Sequence, residues 1–136
     1  MPVPVLSNPL LDARAGTLAT LLNSGHTLRL FQNNLTPTPA TSLGSFTEST
    51  FTGYAAVSLS GQFGSPTFVT DGQYQIASGT YTFSCTGGSS QTIYGWYIDD
   101  GSNVKMSQRL DTPVTISSGG NYTLQVRPQE ISQSIL

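Results

Sequence analysis

Apolar and polar positions alternate with a period of two through residues 92–110, TIYGWYIDDGSNVKMSQRL. Thr92, Tyr94, Trp96 and Ile98 fall on one face, and Ile93, Gly95 and Tyr97 on the other. Both faces are largely apolar, which predicts a central strand covered on both sides. Asp100, Gly101, Ser102 and Asn103 follow, residue types that tolerate positive φ and bond their own backbone in tight turns. Beyond them Val104, Met106 and Leu110 alternate with Lys105, Ser107 and Arg109, as in a half-exposed strand. This hairpin holds the only tryptophan and is expected at the centre of the core.

Residues 1–7 read as extended, because Pro2 and Pro4 fix their own φ and push their predecessors out of the helical region. Asn8 suits an N-cap and Pro9 the first helical position. Leu10, Leu11, Leu18, Leu21 and Leu22 recur at spacings that fit one helical stripe. With Gly25 as a stop, a short helix is predicted over residues 9–23. From Thr27 the period becomes two. Leu28 and Leu30, then Ala55, Val57 and Leu59, then Tyr81, Phe83 and Cys85 mark strands, as do Val114 with Ile116 and Tyr122 with Leu124 and Val126. Asp71-Gly72 between two β-rich runs predicts a hairpin. About eight or nine short strands with regularly spaced turns predict an all-β fold, an antiparallel β-sandwich or jelly-roll-like barrel. The expected organisation is an arm and helix over residues 1–25, the sandwich over 26–128 and a tail over 129–136.

A chain of 136 residues suits one domain. Charged residues are 9% of it, against roughly 25% in an average soluble protein. Low charge together with regular alternation argues against disorder. The cations Arg14, Arg29, Lys105, Arg109 and Arg127 are scattered, so no nucleic-acid partner is expected, because phosphate binding needs clustered positive charge. A single cysteine excludes an internal disulfide. Cys85 continues the alternation of its strand and reads as a small buried apolar residue. The opening residues lack a basic start, and Asp12 and Arg14 interrupt their apolar run, so no signal peptide is expected. No stretch approaches the roughly 20 apolar residues of a membrane helix, and folding in a cytoplasm is the expectation.

Candidate chemistry is sparse. Asp99 and Asp100 are adjacent, but neighbours on a strand point to opposite faces, so a turn is favoured over a catalytic carboxylate pair. A calcium loop using Asp99, Asp100 and Asn103 would not have EF-hand spacing. Asp12, Glu48, Asp71, Asp111 and Glu130 stand alone. One histidine, His26, and one cysteine fall short of a zinc ligand set, and no phosphate-binding loop is present. No catalytic residue, metal or cofactor is therefore expected, nor an enzyme. Most aromatics fit core faces, with Tyr97 the candidate for exposure in a sugar platform or a subunit contact.

The ends are apolar. Ordering an arm costs about 1–2 kcal/mol per residue, and burying each large apolar side chain returns about 1.5–3 kcal/mol, so an arm orders only where a surface receives it. That surface is either its own domain or a neighbouring subunit. The expected interface residues are Val3, Val5, Leu6, Leu10, Leu11, Tyr97, Ile131, Ile135 and Leu136.

Residues 28–59, LRLFQNNLTPTPATSLGSFTESTFTGYAAVSL, carry a strand ending Leu-Phe-x-Asn, then Thr-Pro-Thr, then Phe-Thr-Glu-x-Thr-Phe-x-Gly-Tyr-Ala. With YGWYIDD and the later Gln108-Arg109-Leu110, this pattern resembles small virion structural proteins of tailed bacteriophages, over about two-thirds of the chain. The resemblance implies a structural role, of the head decoration or cement type, in a virion assembled in the host bacterial cytoplasm. It implies the major capsid protein or other virion proteins as partners, and copies of the chain itself as a dimer or trimer. A tail, baseplate or receptor-binding module, with a glycan ligand, is the alternative. No shaft repeat points to a tail fibre.

Overall fold

The computed structural model describes residues 5–131. The order of elements is α1 (Asn8–Leu22), β1 (Thr27–Phe31), a 3-10 turn at Leu43–Ser45, β2 (Val57–Ser58), β3 (Thr67–Thr70), β4 (Gln73–Gln75), β5 (Thr80–Ser84), β6 (Gln91–Asp99), β7 (Val104–Ile116), β8 (Asn121–Gln125) and β9 (Gln129–Ile131). The described chain is mostly β, in antiparallel sheets, with one N-terminal helix. It forms two compact units.

The first unit comprises Met1–Ser24, Leu59–Thr80 and Gln125–Leu136. Its sheet has the order β3-β4-β9, and α1 packs against β4 and β9. The first three residues of the expected tail are thus a strand, with Gln129 opposite Gln75 and Ile131 opposite Gln73. Ser7, not Asn8, caps the helix, its Oγ accepting from Leu10 N at 3.4 Å. The Asn8 side chain is engaged by the β3–β4 hairpin instead: it donates to Asp71 Oδ1 at 3.2 Å and accepts from Gly72 N at 2.8 Å. At the other end Asn23 accepts from Phe63 N at 2.7 Å and donates to Phe63 O at 3.1 Å. The five leucines do not share one stripe. Leu11, Ala15, Ala19 and Leu22 are buried, while Leu10 and Leu21 are exposed. Adjacent residues on a helix sit about 100° apart, so Leu10 and Leu11, or Leu21 and Leu22, cannot both face one sheet.

The second unit comprises Gly25–Ser58 and Tyr81–Leu124. Its four-stranded sheet runs β2-β1-β6-β7, and β5 pairs with β8 in a separate two-stranded sheet. As its two apolar faces predict, β6 is an inner strand, and Gly95 to Asp99 are buried. The Asp100–Asn103 turn closes through Asp100 N donating to Asn103 O at 3.1 Å. One aromatic cluster lies on the Tyr97 face of β6: Phe46 stacks on Tyr97 with centroids 4.3 Å apart, and Phe31 meets Phe46 edge-on at 5.1 Å; a second joins Phe51, Tyr54 and Phe83. Cys85 is buried, with Sγ donating to Gly87 O at 3.3 Å.

Candidate functional site

Strand register gathers the charged side chains of the second unit. Arg29 on β1 lies opposite Tyr97 on β6, which places it diagonally from Asp99, two residues on along the same face. Phe31, two residues beyond Arg29, bridges to Glu48, which brings Glu48 to the other side of the guanidinium. Arg29 Nε donates to Asp99 Oδ1 at 2.8 Å, and its terminal nitrogen donates to both Glu48 oxygens at 3.1 Å. Tyr54 donates to Glu48 Oε2 at 2.7 Å and accepts from Leu30 N at 3.2 Å. Asp99 Oδ2 accepts from Gly101 N at 3.0 Å.

Burial works against the Arg29 charge, but the hydrogen bonds to Asp99 and Glu48, and the field of both carboxylates, outweigh it and raise its pKa. Burial, then the bond to Glu48, raises the Tyr54 phenol. Burial and the negative charge of Glu48 push Tyr97 up to about 12. A guanidinium held between two carboxylates is a structural clamp: it joins β1, the 46–49 segment and the β6–β7 turn, and leaves both acids engaged. Glu48 therefore does not stand alone. Its partnership needed the β1–β6 register, although a lone arginine inside the apolar run TLRLF signals that an acid must be near.

The turn acid Asp100 is equally engaged. Its Oδ1 accepts from Ser102 N at 2.9 Å and Asn103 N at 2.8 Å, and Lys105 Nζ lies 3.4 Å from its Oδ2. The amides of Asn103 and Ser102 pull its pKa down to about 2. The side-chain oxygens of Asp99 and Asp100 thus face turn amides and cations. Among the described residues no three His, Cys, Asp or Glu side chains are placed to hold a metal ion, and no helix is long and apolar enough to cross a membrane.

The expected interface residues separate. Tyr97 is 3% exposed, a correction: it is a core aromatic sealed by Phe31 and Phe46. Leu11 is also a core residue, buried on the packed side of α1. Leu6 is half-buried, whereas Val5 and Leu10 are exposed at 68% and 46%. Ile131 ends β9 with its backbone paired to Gln73; Val3, Ile135 and Leu136 lie outside the described residues. The sequence reading missed Leu21, 61% exposed, and Phe68 and Val69 on β3, 52% and 43% exposed. Their signal was a second set of apolar positions left over once a helix or strand face is filled. All five of these exposed large apolar side chains, Val5, Leu10, Leu21, Phe68 and Val69, belong to the first unit.

No protein-family profile matches the chain, and neither a curated protein nor a solved structure matches it.

Proposed function

We propose that this chain is a structural protein of a tailed-phage virion, a head decoration protein that binds the major capsid protein or another virion protein through the apolar surface of its first unit. The observation that carries the reading is the asymmetry between the units. The exposed large apolar side chains gather in the first, while the charged groups gathered around Arg29 in the second are closed on one another. Exposed apolar surface of this kind marks interaction sites, and weak contacts repeated over a symmetric lattice sum to avid attachment. The phage-like strand and turn motifs of residues 28–59 and 92–110 support the same reading. In it the second unit is a small sandwich: Tyr54, bonded to Leu30 N in the four-stranded sheet, stacks on Phe83 of β5 at 5.9 Å.

Quantitative mass spectrometry of purified virions of the encoding phage tests this. The expected result is hundreds of copies per particle, on the head in gold-labelled images; absence from particles overturns it. A handful of copies at the tail tip supports instead the receptor-binding alternative. That alternative draws on the half-exposed Phe68–Tyr74 pair, whose edge-on geometry at 5.7 Å presents one ring face rather than a flat double platform.

A further inference from the structure

The chain holds two Asp-Gly bonds, Asp71-Gly72 and Asp100-Gly101, and both aspartates are exposed. An aspartate before glycine is open to attack by its own backbone, because glycine has no Cβ to shield its nitrogen. In that step the glycine nitrogen bonds to the aspartate Cγ. The Cγ–O bond of the carboxylic acid breaks, and water leaves with the hydroxyl and the amide proton. Water then opens the five-membered imide. Opening at the main-chain carbonyl routes the chain through the side chain, with one more methylene in the backbone and no change of mass. The nucleophile is the glycine nitrogen after loss of its proton, the same loss that amide hydrogen exchange reports.

Both glycine protons are held in this protein. Gly72 N donates to Asn8 Oδ1 at 2.8 Å, and Asn8 Nδ2 donates to Asp71 Oδ1 at 3.2 Å, so one side-chain amide engages both reacting groups. Gly101 N donates to Asp99 Oδ2 at 3.0 Å. Asp100 has a further protection, since the amides of Asn103 and Ser102 draw its pKa down to about 2 and keep it in the ionised form, a poor electrophile. At Asp71 the holding residue comes from another element, the first turn of α1. The loop there has only two residues: Thr70 pairs with Gln73, and Gly72 takes φ +80°. An added methylene would not fit that tight turn, and the amide that meets Asn8 would be displaced.

We propose that Asp71-Gly72 is a site of spontaneous backbone isomerisation and that Asn8 holds it closed by occupying the Gly72 amide. The proposal goes beyond the virion reading and does not depend on it. The test incubates the full chain for weeks in warm neutral buffer, beside Asn8→Ala and beside the wild type unfolded in urea. Peptide mapping with electron-based fragmentation reads isoaspartate at residues 71 and 100, and nuclear magnetic resonance reads exchange of the Gly72 and Gly101 amides. In urea both aspartates are expected to isomerise at similar rates, because each precedes glycine, and in the folded wild type both are expected to be much slower. Asn8→Ala is expected to speed isomerisation at Asp71 and exchange at Gly72 by about three- to tenfold, the factor one net hydrogen bond contributes. Asp100 and Gly101, in the other unit, are expected to stay at their wild-type rates. A folded wild type that isomerises at Asp71 as fast as the unfolded chain, or an Asn8→Ala variant with unchanged rates at Asp71, overturns the proposal. Acceleration at both aspartates together also overturns it, since Asn8 would then act on the stability of the whole fold.

Discussion

Replacing Asp99 by alanine removes the acceptor for Arg29 Nε and for the Gly101 amide at a position only 2% exposed. Breaking a buried pair is costly because the surviving charge is left without compensation. Here Arg29 is 29% exposed and keeps Glu48, so the loss is smaller than the about 3–5 kcal/mol of a fully buried pair. Asp99→Ala is expected to lower the unfolding free energy by about 2–3 kcal/mol in urea denaturation. Glu48→Gln, at a side chain 34% exposed, is expected to cost about 1 kcal/mol. The reverse order would mean that Glu48, not Asp99, anchors the clamp. In the clamp and the turn each carboxylate answers a cation, an amide or a phenol.

At the scale of elements, β6 organises the second unit because both its faces are covered and both its edges are paired, by β1 and β7. Gly95 sits in its middle because nothing larger fits. A Cβ there would overlap Gln108 O and come within 2.6 Å of the Phe31 ring. Neither the strand backbone nor a ring wedged against Phe46 and Tyr97 can give way cheaply. Gly95→Ala is therefore expected to destabilise the protein by about 3 kcal/mol or more, read as a fall in thermal midpoint, and wild-type stability in that variant would refute the close packing. Helix α1 behaves differently. It has one buried side and one exposed side, so substitutions at Leu10 and Leu21 are expected to leave folding largely unchanged.

For the whole molecule, the tyrosines with raised pKa values, Tyr54, Tyr97 and Tyr122, all lie in the second unit. In each, burial favours the neutral phenol. A group whose folded pKa exceeds its unfolded value contributes stability fully below the unfolded value, here 10, and loses it as pH rises through the folded value. For Tyr97 that window runs from 10 to about 12. Alkaline titration is thus expected to show part of the tyrosinate absorbance appearing only with the collapse of near-ultraviolet circular dichroism. Full tyrosinate formation with the tertiary signal intact would contradict this burial. Acid acts elsewhere. The depressed Asp100 stabilises its turn above pH 3.8, and that contribution is lost as pH falls toward 2.

Local pattern alone determined the mostly β character, the N-terminal helix, the β6–β7 and β3–β4 hairpins with their turns, and the burial of Cys85, because periodicity and turn residues act over a few neighbours. Tertiary structure decided the rest. Which of two adjacent leucines faces the sheet depends on where α1 docks, so Leu11 became core and Leu10 surface. Strand alternation alone leaves Tyr97 open to solvent, because it cannot reveal that Phe46, far away in sequence, lies over it. Glu48 and Asp99 came to share Arg29 only through the register of three chain segments. Register and docking are set by packing between residues distant along the chain, and that information is not carried by any short stretch of it.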